Sequence, residues 1–504
     1  GIDKIFIQSG HLVLATSLGN VIEEKPIAYQ MINNLKNEVN CKFQVKNNIV
    51  SFEFPNGYNK KYDLIIDPDI IFSTYSGSTA DNWGHTATYD NEGNLYAGSV
   101  SFGTGEYPTS LGAFQTNFGG GETDICISKF SSDGSSLIYS TYFGGNSNEN
   151  PHSLVVNNNN ELYVLGTTGS SNFPVTVNAY DNIFNGGTYW NFGSSITYSS
   201  GTDIIVTKFS SDGNNLIGST YVGGTGNDGI NESGSGSYNN FGLCYFYADE
   251  YRGEIIIDNQ NNCYVASTSK STDFPTINAD QNSNNGFQDA VVFSLNEDLS
   301  ELRWSSYFGG SQNDAAYSIQ LNSLNEIYIT GGTLSNDLNT TTNVIHPNYN
   351  GGVDGFISKY NSSFDNLATS YIGNSGYNQC YFVQIDIEDN VFILGLTDTD
   401  LEIIPNNNYY ITGSQFIQKI NSQLDSLIIS SSFGSGQVEK TITPTAFLVS
   451  DCGLIYVCGW GGLNNLNGST ENLPITDDAY QNSTDAADFY LGVFEENMQS
   501  LIYG

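Results

Sequence analysis

One phrase constrains this chain more than anything else in it. FSSDGSSLIYSTYFGG, Phe130 to Gly145, returns almost unchanged as FSSDGNNLIGSTYVGG, Phe209 to Gly224, and more loosely as LNEDLSELRWSSYFGG, Leu295 to Gly310. A short form, IIFSTYSG, begins at Ile70, and worn forms, NLATSYIG and SLIISSSFG, begin at Asn366 and Ser426. The aromatic of this element falls at Tyr75, Tyr142, Tyr221, Tyr307, Tyr371 and Phe433, at intervals of 62 to 86 residues. Self-similarity at such a period means one supersecondary unit repeated.

Each unit reads as four short strands. In the second they are HSLVVN from His152, ELYVLGTT from Glu161, DIIVTKF from Asp203 and LIGSTYV from Leu216. The pieces are rich in Val, Ile, Tyr and Thr and bounded by Gly, Asn, Asp or Ser, the pattern of strands and hairpins. Second strands recur at Asn94, Glu161, Asn262, Glu326, Asn390 and Leu454, and third strands at Asp124, Asp203, Asp289, Asp354, Ser414 and Ala487. Six four-stranded sets predict an all-β, six-bladed β-propeller at 68–504. No helix longer than about two turns is expected. Residues 1–67 read as a separate small β-rich domain with strands KIFIQ, HLVLAT, PIAYQ, KFQVK, NIVSFEF and YDLIID. The extra STY copy at Ile70 to Ser76, and a last copy that reaches only Leu501 to Gly504, suggest that the early copy closes the ring as the outer strand of blade six. The competing arrangement gives that place to Leu501 to Tyr503.

The STYxGG element, the GNxYV-type strand, the Phe-Pro loop (Phe173-Pro174, Phe274-Pro275) and the D-x-x-V-x-K-F strand resemble the SBBP family of β-propeller repeats. The segments LVLATSLGNVIEEKPIAYQ, VSFEF and YDLIIDP look like the domain that precedes such repeats, so the resemblance covers almost the whole chain. DNWGHTATYDNEGNLYAGS and SDCGLIYVCGWGG are similar to stretches of large Bacteroidetes surface proteins, which often end in a type IX secretion sorting domain; that domain is not found here. The resemblance implies a secreted or cell-surface protein, and the family name implies seven blades, the seventh built from the N-terminal module or from chain beyond 504.

Acidic residues number 53 against 15 basic, a formal charge of −38. Such a surface repels nucleic acid and anionic membrane, and both are excluded as partners. With 33 Tyr and 29 Phe the chain is not disordered. Seven cysteines do not make a complete disulfide framework, and most lie in apolar strand context, so buried free thiols are expected. No apolar run is long enough for a membrane span and no signal peptide precedes Gly1, so the chain is taken as a mature or trimmed product.

The search for chemistry yields little. One equivalent position near each first-strand start holds His85, His152, Gly253, Tyr317, Tyr381 and Thr445. These side chains can ring one channel mouth as a polar pocket, or as a metal held by two histidines. Hydrogen-bonded strand residues are the preferred reading, because no carboxylate repeats there to orient an imidazole. Asp124, Asp203, Asp289 and Asp354 recur at the heads of third strands, where a short carboxylate caps turn N–H groups. The turns Asp90 to Asn94 and Asp258 to Asn262 offer at most weak Ca²⁺ ligands, and the tight-turn reading is preferred; no cofactor is called for. Two insertions break the repeat: Asn185 to Gly201, with Tyr189, Trp190, Phe192 and Tyr198, and Gly223 to Tyr251, with Tyr245, Phe246, Tyr247 and Tyr251. They are expected on one rim as the most ligand-ready surface, so deleting Gly226 to Asn240 should barely change stability.

The leading reading is a non-enzymatic binding, adhesion or scaffold module whose partners are other surface proteins or glycans. An extracellular carbohydrate-binding or carbohydrate-active protein using the aromatic insertions is the first alternative, and a surface-assembly subunit the second. Fold alone does not choose among them.

Overall fold

Strand-forming runs and Asx/Gly turns alternate through the whole chain, and the structure realises them as an almost entirely antiparallel β protein. It is a computed structural model. It describes residues 2–504 apart from 17–18, 24, 33–34, 47–48, 63, 68–73, 75, 104, 193–195, 235–241, 247–248, 400, 406–408, 410, 438–440, 463–467 and 478. Chain contacts divide it into two units, Gly1–Thr74 and Tyr75–Gly504.

In the first unit, Ile2–Gln8, His11–Thr16 and Gly19–Glu23 form a meander, Ile27–Ile32 pairs with Leu35–Val39 and Ile65–Asp67, and Lys42–Lys46 pairs with Ile49–Glu53. Gln8 pairs with His11 across Ser9 and Gly10, whose φ angles of 54° and 95° suit a two-residue hairpin. Phe43 and Phe52 meet across the last hairpin at 5.5 Å. The Gln30 amide holds the loop beyond it through Asn59 O at 2.7 Å, Tyr62 O at 2.9 Å and Asn59 N at 2.9 Å.

The second unit is a ring of six four-stranded blades, each a simple meander. First strands are Asn82–Tyr89, Glu149–Val156, Glu254–Ile257, Asp314–Leu321, Asn378–Ile385 and Thr443–Val449. Second strands are Leu95–Phe102, Leu162–Thr168, Cys263–Ser269, Ile327–Thr333, Val391–Thr397 and Ile455–Trp460. Third strands are Thr123–Phe130, Asp203–Phe209, Asp289–Leu295, Asp354–Tyr360, Gln415–Ile420 and Phe489–Phe494. Fourth strands are Leu137–Phe143, Leu216–Val222, Leu302–Phe308, Asn366–Ile372, Leu427–Phe433 and Leu501–Tyr503. Among the described residues the only helical element is the 3-10 turn Asp249–Tyr251. The outer place in blade six belongs to Leu501–Tyr503, paired to Phe489–Phe494, which is the competing arrangement rather than the expected closure. Residues 68–73 and 75, on which that closure call falls, lie outside the described residues.

Second and third strands of blade two are buried at every position, as strands covered on both faces must be. The core sits in the seams: Tyr163, Leu165, Ile204 and Val206 of blade two pack against Ile255, Val265, Val291 and Phe293 of blade three.

The repeated phrase is the seam lock. The Tyr221 hydroxyl accepts from Phe173 N at 3.0 Å and donates to Ser170 O at 2.8 Å, pinning the Phe-Pro loop of its own blade. Tyr307 does the same with Phe274 N and Ser271 O, and Tyr371 with Leu338 N and Ser335 O. The residues after the aromatic then dock on the next blade: Asn146 N donates to Asn172 Oδ1, Thr225 N to Asp273 Oδ1 and Ser311 N to Asp337 Oδ1, at 2.8 to 2.9 Å.

The lysine of the third strand has an equally local cause. Lys129, Lys208, Lys359 and Lys419 lie over the rings of Tyr96, Tyr163, Tyr328 and Phe392 at 4.7 to 5.4 Å. Each also pairs with a first-turn acid, Asp90, Glu161, Glu326 or Asp386, at 2.8 to 3.0 Å. A cation shared between a ring face and a carboxylate keeps both partners while its stem is buried.

Candidate functional site

Five of the six residues at the repeated channel position are β-bulges. Pairing skips His85 between Gly84 and Thr86, His152 between Pro151 and Ser153, Tyr317 between Ala316 and Ser318, Tyr381 between Cys380 and Phe382, and Thr445 between Pro444 and Ala446. A bulge adds one residue to a strand and re-aims its side chain. In blades two, four, five and six it also brings a carbonyl against the glycine of the second strand. A Cβ on Gly166 would stand 2.6 Å from Asn150 O, one on Gly395 2.6 Å from Gln379 O, and one on Gly459 2.7 Å from Thr443 O. Blade three is the control: its first strand pairs without a bulge, starts after Gly253, and faces Ala266 instead of glycine.

The mouth is filled by the chain's own insertions. The hairpin of Trp190–Phe192 and Ile196–Tyr198 packs with Ile230, Tyr251, Trp83 and Phe102. Tyr251 is the hub, with ring centroids 6.2 Å from His85, 6.0 Å from His152, 6.0 Å from Trp190 and 5.4 Å from Phe192. On the opposite side Tyr317 and Tyr381 stack at 5.9 Å. The Tyr317 hydroxyl donates to Leu243 O and accepts from Asn231 and Gln379 at 2.8 to 2.9 Å, so both partners from the second insertion are tied to it. Arg252 spans the ring: its guanidinium lies 4.4 Å over Tyr381, pairs with Asp249 at 2.6 Å and donates to Pro444 O of blade six at 3.1 Å. Asp249 is fully buried and accepts also from Tyr245 N and Phe246 N.

These facts place each proposed site residue. His85, His152, Tyr317 and Tyr381 do converge on one mouth, but beneath the plug. Trp190 and Tyr245 are 7% and 6% exposed, whereas Tyr189 is 65% exposed. Tyr247 lies outside the described residues. The expected open aromatic rim is thus corrected to packed scaffold, because the inserted rings cover one another and the bulge residues. Burial pushes the His85 imidazole down to about 4; burial, reinforced by His85, pushes His152 down to about 3. Both rings are therefore neutral near pH 7. His152 Nε2 lies 2.9 Å from Thr167 Oγ1, and among the described residues no carboxylate bonds to either ring.

The third-strand aspartates are turn caps: Asp203 accepts from Asn185 N and Gly186 N, and Asp289 from Asn285 N and Gly286 N, at 2.7 to 3.2 Å. Sequence reasoning missed their partners. A Cβ on Gly144 would lie 2.5 Å from both Asp124 Oδ1 and Glu149 Oε2; one on Gly223 would meet Asp203 and Asp228, and one on Gly309 would meet Asp289 and Asp314. The first glycine of each GG step therefore separates two buried acids from successive blades. The available signal was the spacing GG-x-x-x-[DE], whose second glycine N–H donates to the acid at 2.8 to 3.0 Å. Burial raises Asp124 to about 7, Glu149 to about 8, Asp203 to about 8, Asp228 to about 7, Asp289 to about 6 and Asp314 to about 7. The turns considered for Ca²⁺ use their carboxylates internally: Asp90 binds Asn94 and Lys129, and Asp258 binds Asn262 and Tyr264. Among the described residues no group of three or more His, Cys, Asp or Glu is arranged to hold a metal. All seven cysteines are free; Cys126, Cys244, Cys263 and Cys380 are buried.

The molecule so defined is a six-bladed β-propeller whose channel mouth is closed by its own insertions, preceded by a small β unit. Residues 1–69 match a domain family described as Domain of unknown function (DUF7948). No curated protein matches the chain. Among solved structures, a protein of unknown function from Dyadobacter fermentans DSM 18053 is 11% identical with a TM-score of 0.36, over 76% of this chain and 93% of that one. A PL25 ulvan lyase is 9% identical with a TM-score of 0.42, over 85% of this chain and 86% of that one. The assignment as a propeller rests on the sheet order and ring described above, not on these likenesses.

Proposed function

We propose that this chain is a non-catalytic propeller of a secreted or cell-surface protein, serving as a binding or adhesion module on a rigid scaffold. The observation that carries this reading is the plugged mouth. Where a propeller gathers side chains from every blade, this one uses its converged polar groups to hold its own insertions. His152 there is buried and His85 half-buried, both are neutral near pH 7, and among the described residues neither has a carboxylate partner, which supports a role other than acid and base. The repeated acids and lysines are spent on seam and turn contacts. The resemblance to SBBP repeats and to Bacteroidetes surface proteins supports an exported setting, as does a surface rich in Asn, Ser and Thr with a charge of −38.

The test is turnover. Incubation with a panel of neutral and uronate-containing polysaccharides, followed by reducing ends and by absorbance of unsaturated products, is expected to show none. Turnover abolished by His85→Ala or His152→Ala overturns the reading.

A further inference from the structure

Four seams are sealed on the perimeter by an apolar residue from the loop before the third strand. The register is fixed by backbone: the carbonyls of Gln115, Asp181, Gln281 and His346 each accept from the aromatic of the fourth strand, Tyr142, Tyr221, Tyr307 and Tyr371. The residue just before each carbonyl is therefore equivalent: Phe114, Tyr180, Asp280 and Ile345. In blade five the same place falls to Tyr409. Phe114 packs on Phe209 of the next blade at 6.0 Å, and Tyr409 packs on Phe494 at 6.0 Å. Tyr180, Ile345 and Tyr409 each donate a backbone N–H to the next blade, at Leu299 O, Leu424 O and Met498 O.

Between blades three and four the seal is missing. Asp280 replaces the apolar side chain, and its carboxylate instead accepts from Asn366 N at 3.0 Å. What remains is a cleft of about 330 Å³, the size at which small-ligand sites begin. Phe308, Leu338 and Tyr360 form its apolar floor and Asp280 and Asp337 its charged rim, Asp337 taking the Ser311 N–H and hydroxyl on Oδ1, and among the described residues no Lys, Arg or His lines it. Desolvation in the cleft and the neighbouring Asp365 raise the Asp280 carboxyl, a cost that a bound cation would relieve. At the equivalent place between blades four and five, next to Ile345, a cleft lined by His346, Gly373 and Leu427 measures only about 190 Å³. Structural positions obey the repeat; this one breaks it.

We infer that the cleft between blades three and four binds a cationic group on a short apolar stem, a guanidinium or ammonium with three or four carbons behind it. The stem lies on Phe308 and Leu338 and the charge sits between Asp280 and Asp337. This deepens the binding-module reading by naming what the module takes. Because the cleft is on the perimeter, its failure leaves the account of the plugged channel standing, and turnover at the channel would leave the cleft standing.

Calorimetric titration of the whole chain with n-butylguanidinium and with acetyl-Gly-Arg-Gly-amide tests it, with methyl glucoside as the neutral control. Saturable binding of one equivalent is expected, weakened by salt, and weakened about tenfold by Asp280→Asn, which removes charge and keeps shape. Asp280→Tyr restores the seal and should abolish binding with no loss of melting temperature, so its folding is its own control. Peptide binding as tight as that of the free cation assigns the ligand to a partner's arginine; binding of the free cation alone assigns it to a small molecule. No saturable binding, equal binding by Asp280→Tyr, or preference for the glucoside overturns the proposal.

Discussion

At the scale of single residues, the repeat is a set of steric and hydrogen-bonding requirements. The bulge glycines show this best. Gly166 faces Asn150 O because His152 bulges, and blade three, which has no bulge, tolerates Ala266 at the same place. Gly166→Ala is therefore expected to cost about 1 to 3 kcal/mol, the range for strain forced into a packed interior. Ala266→Gly should cost about 1 to 2 kcal/mol, from backbone entropy and one lost buried methyl, with no strain. Denaturant midpoints measured at equal m-value check both; equal losses would show that the bulge does not select the glycine. Tyr307→Phe removes a hydroxyl that serves Phe274 N and Ser271 O together. The orphaned buried N–H predicts a loss of about 1 to 3 kcal/mol by the same measurement.

At the scale of elements, successive blades are held by paired acids, and this makes stability depend on pH in a defined sense. A carboxyl raised above its unfolded value binds more protons in the native state. Its contribution is fully present below about pH 4, where both states are protonated, and is lost as pH rises through the native value. For Asp124, Glu149, Asp203, Asp228 and Asp314 that native value is about 7 to 8. Melting temperature should thus fall between about pH 5 and pH 9, in the same direction as self-repulsion of the net negative charge. Glu149→Gln separates the two, since one surface-equivalent charge hardly alters repulsion but removes one buried ionisation. The chain supplies the precedent, with Asn378 beside Asp354 at the seam between blades four and five. The variant should lose stability less steeply above pH 7 than the parent; parallel curves would refute the seam origin. The periodicity of strands, the six blades and the Asp caps were legible in the sequence because they depend on residues close along the chain. Glu149, Asp228 and Asp314 were not recognised, because their partners sit across a seam. Nor was the burial of Trp190 and Tyr245, since an aromatic loop does not itself record what covers it.

At the scale of the whole molecule, the insertions turn a ring of similar blades into one cooperative object. The expectation from sequence was that Gly226 to Asn240 is a dispensable loop. Its first half is instead among the most buried chain in the protein: Asn227, Asp228, Ile230 and Asn231 are all 0 to 1% exposed. Asp228 belongs to the seam pair with Asp203, Ile230 to the Trp190 cluster and Asn231 to the Tyr317 hydroxyl. Removing the segment deletes three contacts, two to blade two and one to blade four, and the loss should exceed about 4 kcal/mol, beyond any loop-entropy effect. Arg252→Met isolates the strap that directly follows the insertion. Arg252 joins the blade-three entrance to Tyr381 of blade five and Pro444 of blade six, and its loss leaves Asp249 buried beside no cation. A cost of about 3 to 5 kcal/mol is expected, as for breaking a buried pair from one side. Adding Asp249→Asn to Arg252→Met should recover part of it, because the buried charge goes with its partner. Thermal unfolding of the parent, the deletion and the two charge variants reads all of this together. A deletion that melts with the parent would return the insertions to the surface and reopen the mouth as a site.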